Sequence, residues 1–331
     1  MEDVLKIENL NVAFEVYGGE VHAVRHLSMN IRQGEVYALV GESGCGKSTI
    51  AHTILRLNDQ SLTRVNADTL QLSGQDILDI SENEMELIRG DLVSMIFQDP
   101  ITSLNPTMKI GKQIVETLYR RKKMSSDECE KEALRLLSLV QIPDAKIRYH
   151  QYPHQLSGGM KQRVMIAMAL SCQPKLLIAD EPTTALDVTT QAQILEIVSN
   201  IKHETNSSVL LITHDLGVVA NIADRVGVMY AGEIIEEGTV NEVFEQPRHP
   251  YTQSLMKCLP ILNDGGELYN IPGEPPDLYK PPEGCSFSKR CPNCMQICLR
   301  DAPPIFKTTS HHYTCCWKEH HMFLEQNKAK E

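Results

Sequence analysis

A glycine-rich segment that ends in lysine and serine carries the residue types most directly suited to chemistry. It reads G-E-S-G-C-G-K-S over residues 41–48 and directly follows an apolar run at residues 36–40. Glycines let backbone N–H groups surround a polyphosphate, Lys47 can reach the terminal phosphates, and the Ser48 hydroxyl can hold Mg²⁺. A helix beginning at Lys47 would add its positive dipole end. The spacing predicts a nucleotide site, and its candidate residues are Gly41, Ser43, Gly44, Cys45, Gly46, Lys47, Ser48 and Thr49.

A second candidate site is a pair of acids after another apolar run. Asp180 and Glu181 follow the apolar residues 176–179. Asp180 can orient the ligands of Mg²⁺, and Glu181 can polarise the water that attacks a γ-phosphate. Acids also end strands at protein surfaces. Two consecutive acids in a chain with a phosphate loop nevertheless favour metal-assisted phosphate hydrolysis.

The elements that would position these residues predict an α/β core. Continuous apolar runs at residues 176–180 and 209–213 are typical of buried parallel strands. Alternating apolar and polar residues from about Val4 to Gly34 predict antiparallel strands that lead into the phosphate loop. Helical patterns cover residues 125–139, 156–170 and 189–204.

Composition narrows the class of protein. The chain has 331 residues, of which 42% are apolar and 23% charged, as in ordinary globular proteins. A formal net charge of −11 argues against nucleic acid as a partner, because phosphate-backbone binding rests on clustered Lys and Arg. No apolar run approaches the length of about 20 residues that spans a bilayer, and the N-terminus lacks the pattern of a secretion signal. We therefore expect the chain to stay in the cytoplasm.

A change in amino-acid composition after Val243 predicts a second, loop-rich segment. Prolines crowd this part of the chain, and repeated prolines prevent a continuous helix or central strand. They are Pro247, Pro250, Pro260, Pro272, Pro275, Pro276, Pro281 and Pro282. We place the domain boundary here, which gives a nucleotide-binding domain at 1–243 and a C-terminal extension at 244–331.

Further motifs, in a fixed order, identify a family. The phosphate loop is followed by Gln98 after an apolar strand, by L-S-G-G at 156–159, by the paired acids, by A-L-D at 185–187 and by T-H-D at 213–215. This order resembles the nucleotide-binding subunit of ATP-binding cassette (ABC) transporters over about residues 4–243. The resemblance implies a P-loop ATPase core with an antiparallel β subdomain and an α-helical subdomain.

The resemblance also implies roles for single residues. Ser157, Gly158 and Gly159 would contact the γ-phosphate of ATP bound by an opposing cassette, so that two cassettes enclose two nucleotides. His214 would contact the γ-phosphate and act in catalysis with Glu181. Ser48, Asp180 and the catalytic Gln98 would bind Mg²⁺. Asp187 would communicate across the dimer. Tyr17 or Phe14 would stack on the adenine.

Other segments resemble the dipeptide and oligopeptide importer branch. They lie at residues 97–106, 152–155 and 248–252, while residues 88–90 and the insertion at 57–83 resemble its D-type ATPase. This resemblance implies a heterodimer with a second, F-type ATPase subunit. It also implies two permease membrane subunits, an extracytoplasmic solute-binding protein and a peripheral place on the cytoplasmic face of the cell membrane. Importers of nickel and other small solutes share the branch, so the imported solute stays open.

Six of the ten cysteines fall between Cys285 and Cys316. In a cytoplasmic protein such a cluster points to metal rather than to disulfides. The series C-x5-C-x6-C-x17-C resembles the C-terminal motif of D-type peptide-importer ATPases, which can carry a [4Fe-4S] cluster on four thiolates, here Cys285, Cys291, Cys298 and Cys316. Structural zinc uses the same ligands. Cys294 and Cys315 depart from the family pattern, and free buried thiols are the plainer alternative.

Two functions of other classes remain compatible with these motifs. A soluble ABC ATPase that serves nucleic-acid repair would carry the same ATPase motifs, although such proteins usually fuse two cassettes in one chain. A redox-sensing regulator would depend chiefly on the cysteine segment, which comprises residues 285–316.

Overall fold

The computed structural model describes residues 2–99, 103–122, 124–184, 186–205, 207–258 and 270–321. Residues 100–102 of the peptide-importer motif and Ala185 of the A-L-D motif therefore lie outside the described residues. The chain divides into two compact units. The first comprises residues 1–6, 30–36 and 71–212, and the second comprises residues 7–29, 37–70 and 213–331.

Two long strands, β1 (Asp3–Val16) and β2 (Gly19–Arg32), are neighbours in a sheet as the alternating pattern predicted. β1 pairs antiparallel with β4 (Thr63–Asn66). The short strands β5 (Thr69–Leu72) and β6 (Gln75–Asp76) form a further antiparallel pair. The predicted insertion at 57–83 thus contains three short strands.

In the second unit, the strand before the phosphate loop lies in a sheet. β3 (Val36–Val40) is buried along its whole length and pairs parallel with β10 (Arg225–Tyr230). β11 (Glu233–Thr239) follows antiparallel to β10. The two-residue strands β12 (Phe306–Lys307) and β13 (Tyr313–Thr314) continue this sheet from β11. The C-terminal segment is therefore part of the fold of this unit.

In the first unit, three parallel strands lie in the order β7 (Val93–Ile96), β8 (Leu176–Asp180) and β9 (Ser208–Thr213). Every residue of β8 and β9 is buried. The predicted parallel strands are confirmed, because only strands covered on both faces keep such continuous apolar runs.

Ten α-helices are described. They are α1 (Lys47–Ile54), α2 (Glu82–Asp91), α3 (Ile110–Lys122), α4 (Ser126–Leu139), α5 (Ala145–Tyr149), α6 (Gly158–Leu170), α7 (Val188–Thr205), α8 (Leu216–Ile222), α9 (Val240–Glu245) and α10 (Pro250–Lys257). α4, α6 and α7 agree with the predicted helices to within two residues. Over the described residues, no helix is both long enough and apolar enough to cross a membrane.

The segment after residue 243 is partly more regular than its prolines suggested. Pro250 occupies the first turn of α10, where proline is tolerated because that N–H has no helical partner. His249 caps the same helix, and its Nδ1 accepts a hydrogen bond from the N–H of Tyr251 over 3.0 Å. From residue 270 onward the described chain consists of irregular segments, short 3₁₀ turns and two two-residue strands, as the prolines predicted.

Candidate nucleotide site and cysteine cavity

The phosphate loop joins β3 to α1, and two of its glycines, Gly41 and Gly46, leave no room for a side chain. Gly46 caps α1 with φ 107°, and a Cβ on it would lie 2.3 Å from the carbonyl oxygen of Ala23. A Cβ on Gly41 would lie 2.2 Å from the carbonyl oxygen of Met229. The tip of the loop, residues 43–44, is exposed. The loop is thus packed closely at both ends and open at its tip.

Lys47 folds back onto the loop that precedes it. Its side chain is buried, and its Nζ donates hydrogen bonds to the carbonyl oxygens of Gly41 over 2.8 Å and Glu42 over 2.9 Å. Burial raises the pKa of the neighbouring Cys45 thiol, although the positive charge of Lys47 opposes this. The ammonium group of Lys47 therefore lies inside the loop, where it can meet an anion. The other candidates in the first turn of α1 are half-buried: Ser48 and Thr49.

The two aromatic candidates for adenine stacking differ in exposure. Tyr17 lies in the turn between β1 and β2, and its side chain is fully exposed. Phe14 lies within β1 opposite Thr63 of β4 and is half-buried. Tyr17 is therefore free to stack on a ligand, whereas Phe14 already contributes to the packing of its sheet.

In the first unit, the paired acids lie at the carboxyl end of β8. Asp180 is buried, and Glu181 directly after it has φ 45°, with its N–H donating to the carbonyl oxygen of Ile212 over 2.8 Å. Its carboxylate accepts hydrogen bonds from Gln98 Nε2 over 3.1 Å and from Thr184 Oγ1 over 2.9 Å. Two of the predicted catalytic residues are thus in direct contact.

The signature residues open α6. Ser157 caps this helix, and its Oγ accepts a hydrogen bond from the backbone N–H three residues later. A Cβ on Gly159 would lie 2.4 Å from Cγ2 of Thr190, whereas one on Gly158 would meet its nearest neighbour at 3.8 Å. Asp187 binds the N–H and hydroxyl of Thr190, and these bonds lower its pKa. Gly159 and Asp187 are therefore linked through one threonine.

The predicted switch histidine follows β9. His214 is exposed, and its neighbour Asp215 caps α8 by accepting hydrogen bonds from the N–H groups of Gly217 and Val218. This cap fixes the backbone on which His214 stands.

In the second unit, the four cysteines of the predicted metal motif line one narrow cavity. They are Cys285, Cys291, Cys298 and Cys316. His249 and Trp317 line the same cavity. Burial raises the pKa of the Cys285 thiol to about 12 and that of Cys316 to about 11. These thiols are therefore protonated at neutral pH unless a metal ion displaces the proton.

The two additional cysteines lie outside this cavity lining. Cys294 is exposed, and Cys315 directs its thiol to the carbonyl oxygen of Ile234 over 3.6 Å. Within the described residues, no group of three Cys, His, Asp or Glu side chains could hold a single metal ion. The four cavity thiols thus share a space without converging on one point.

Sequence reasoning missed two side chains at the phosphate loop. The guanidinium of Arg290 binds the carboxylate of Glu42, and the hydroxyl of Tyr251 accepts a hydrogen bond from the N–H of Glu42 over 3.0 Å. Both residues lie in motifs noted for other reasons, namely the cysteine series and residues 248–252. Nothing in the local spacing of either motif points to the phosphate loop.

Comparisons with known proteins agree with this geometry. The ABC transporter family model matches residues 24–184, and the model of the oligopeptide/dipeptide transporter C-terminal region matches residues 235–298. The dipeptide transport ATP-binding protein DppD of Bacillus subtilis strain 168 is 53% identical over 318 residues, which cover 96% of this chain and 95% of that protein. The chain belongs to the ABC transporter ATP-binding proteins.

Other relatives support the same family. The oligopeptide transport ATP-binding protein OppD of Bacillus subtilis strain 168 is 50% identical over 319 residues, covering 96% of this chain and 89% of that protein. A dimeric ATP-binding cassette in a post-hydrolysis state, bound to ADP and Pi, is similar in structure with a TM-score of 0.62. That cassette is 28% identical, and the match covers 71% of this chain and 98% of the cassette.

Family membership confirms several predictions. The α/β P-loop fold and the resemblance to peptide-importer ATPases are both confirmed. As an ABC ATPase, the chain binds ATP and hydrolyses it. The roles of single residues within the ABC ATPase stay predictions. The contacts described above name the neighbours with which each residue would act.

Proposed function

We propose that this ABC ATPase energises the uptake of dipeptides or oligopeptides through partner membrane subunits. The observation that carries the proposal is the 53% identity to a dipeptide transport protein along nearly the whole chain, including the cysteine segment. In this proposal the chain acts at the cytoplasmic face of the membrane. Its partners are two permease subunits, an extracytoplasmic solute-binding protein and a second, F-type ATPase subunit in a heterodimer.

The proposed hydrolytic roles follow from the contacts in each unit. Glu181 acts as the base that orients the attacking water, because its carboxylate is held by Gln98 and Thr184. Lys47 supplies positive charge to the phosphates from inside the loop. His214 is proposed to contact the γ-phosphate.

Mg²⁺ would neutralise the negative charge that develops on the phosphates. The residues proposed to hold it are Ser48, Gln98 and Asp180. Their hydroxyl, amide and carboxylate oxygens are the ligands that Mg²⁺ prefers. Asp180 is buried at the end of a fully buried strand, so its carboxylate cannot swing freely.

The signature residues are proposed to act on a second cassette. Ser157, Gly158 and Gly159 stand at the N-terminus of a 13-residue helix, which attracts anions through its free N–H groups and its dipole. We assign them to the γ-phosphate of ATP bound by the partner subunit and Asp187 to communication with that subunit. An isolated chain is then a poor ATPase.

We also propose that the cysteine cavity holds a [4Fe-4S] cluster. Four thiols that line one cavity fit such a cluster, which is ligated by four cysteine thiolates. A single zinc ion requires sulfur ligands at about 2.3 Å and hence close convergence. Structural zinc on the same four thiols is the alternative that the metal analysis below decides. The cluster would cross-link the C-terminal extension at 244–331, because every residue that lines the cavity lies between His249 and Lys318.

Metal analysis tests the cluster. Anaerobically purified protein should contain about four irons and four acid-labile sulfides per chain. Cys298→Ser should lower this content strongly, whereas the control Cys294→Ser should not, because Cys294 lies outside the cavity lining. One zinc per chain, or no metal, would overturn the cluster.

Reconstitution tests the transport function. The tagged chain should co-purify from native membranes with integral membrane subunits rather than with nucleic acid. In vesicles containing those subunits, peptides presented with the solute-binding protein should stimulate ATP hydrolysis. Nickel salts serve as the control solute. If nickel alone stimulates ATP hydrolysis, the imported solute is a metal ion and not a peptide.

A further inference from the structure

Arg290, in the cysteine segment, binds the carboxylate of Glu42 in the phosphate loop through two hydrogen bonds. Arg290 Nη1 lies 2.8 Å from Glu42 Oε2, and Arg290 Nη2 lies 3.0 Å from Glu42 Oε1. The Arg290 side chain is 5% exposed and that of Glu42 is 25% exposed. Such a two-point contact between guanidinium and carboxylate fixes orientation as well as distance.

The guanidinium of Arg290 has a partner for each of its five N–H groups. Besides the two Glu42 oxygens, it donates from Nε to Pro272 O over 3.0 Å, from Nη1 to Tyr230 Oη over 3.2 Å and from Nη2 to Ile271 O over 3.3 Å. Because five donors meet five acceptors, the fork has one favoured orientation. Arg290 is therefore a rigid support for the Glu42 carboxylate.

The backbone that carries Arg290 is shaped by the cysteine segment. Arg290 ends a 3₁₀ turn at residues 288–290, which lies between Cys285 and Cys291 of the cavity. The N–H of Ser288 donates to Cys285 O over 3.0 Å, and the N–H of Arg290 donates to Phe287 O over 3.0 Å. The Phe287 ring is buried in the aromatic core of the second unit. Arg290 thus takes its position from the same segment that lines the cavity.

The C-terminal segment touches the nucleotide-binding elements at two further points. The hydroxyl of Tyr251, in α10, accepts a hydrogen bond from the N–H of Glu42 over 3.0 Å. At the turn between β1 and β2, the hydroxyl of Tyr279 donates to the carbonyl oxygen of Gly18, next to the exposed Tyr17. Each of these contacts joins the segment to an element proposed to bind ATP.

We propose that Arg290 is a positioning residue for ATP binding, which acts through Glu42 to hold the phosphate loop in its binding shape. The Glu42 carbonyl oxygen accepts a hydrogen bond from Lys47 Nζ, so displacement of Glu42 also displaces the lysine that meets the phosphates. The inference rests on the proposed roles of the phosphate-loop residues. It adds that the C-terminal segment sets the affinity of the loop for ATP.

A double-mutant cycle on the full chain tests this inference. Arg290→Ala and Glu42→Gln should each weaken equilibrium ATP binding about tenfold, which corresponds to about 1.4 kcal/mol. The double variant should bind ATP no more weakly than Glu42→Gln alone, because Arg290 acts through Glu42. Arg290→Lys keeps the charge but loses the two-point contact, and it should give an intermediate loss. Where Arg290→Ala does not fold, the lysine variant carries the test.

Controls separate this inference from the proposed function. Arg300→Ala removes an exposed arginine of the same segment and should bind ATP like the wild type. If the wild type does not bind ATP, the proposed function itself is contradicted. Wild-type ATP binding combined with unchanged affinity in the Arg290 variants, or with additive losses in the double variant, would overturn the inference alone.

Discussion

Gln98 and Glu181, separated by 83 positions in sequence, form a direct hydrogen bond of 3.1 Å between Nε2 and Oε2. Glu181 accepts a second hydrogen bond from Thr184 on the same oxygen. Both of these bonds end on the same carboxylate oxygen and hold the side chain in place, and both donors are neutral groups. This arrangement is suited to a base that holds a water molecule.

Glu181→Gln should abolish ATP turnover and preserve ATP binding. The amide is isosteric but cannot accept a proton, and loss of a general base costs about 100- to 10,000-fold in rate. The assay is steady-state ATP hydrolysis in the assembled complex, with equilibrium ATP binding as the control. Turnover near the wild-type rate would remove Glu181 from its proposed role.

Gly46→Ala should abolish ATP binding, whereas Gly44→Ala should be much milder. At Gly44 the backbone has φ 78° with no atom within 4 Å of a Cβ, so alanine there costs only the strain of a left-handed conformation, about 1–2 kcal/mol. At Gly46 a Cβ would in addition lie 2.3 Å from a backbone carbonyl oxygen. Urea unfolding and ATP binding of both variants measure the difference, and equal effects would contradict the close packing at Gly46.

Tyr17→Ala should weaken ATP binding and leave stability almost unchanged. Stacking of a base on an aromatic ring is worth about 1–3 kcal/mol, so we expect an affinity loss of about tenfold. Phe14→Ala is the matched comparison and should lower stability instead, because Phe14 is half-buried in β1. Titration with ATP and thermal unfolding distinguish them. A reversed pattern would assign the adenine to Phe14.

His249 should make the chain less stable as the pH falls from about 6.5 to about 4. Burial lowers the pKa of His249 from 6.5 to about 4, against the opposing effect of Glu236. The unfolded chain therefore binds a proton over this range that the folded chain excludes, and stability decreases with falling pH. The full effect is about 3 kcal/mol.

The variant His249→Asn isolates this effect, because asparagine retains a hydrogen-bond acceptor for Tyr251 but does not titrate. Urea unfolding at pH 7, 5.5 and 4.5 should show the variant losing less stability than the wild type. Parallel curves for the two proteins would show that His249 titrates normally in the folded chain.

Much of the ATPase core could be predicted from the sequence. The phosphate loop, the strand before Asp180 and the helix after Ser157 follow from glycine spacing, continuous apolar runs and 3.6-residue periodicity, all of which are local. α10 was not predicted, because a rule against proline in helix interiors does not apply to Pro250 in the first turn. Periodicity also could not decide between Phe14 and Tyr17, whereas exposure separates them.

The family and the order of the motifs follow from the sequence alone, because each motif is contiguous and its chemistry depends on short spacing. The tertiary structure places Cys316, the cysteine that the resemblance had implied, in one cavity with the other three thiols. It also brought Arg290 to Glu42, 248 positions away. Such contacts depend on which way each side chain points after the sheet and the C-terminal segment have packed, and local sequence patterns do not contain that information.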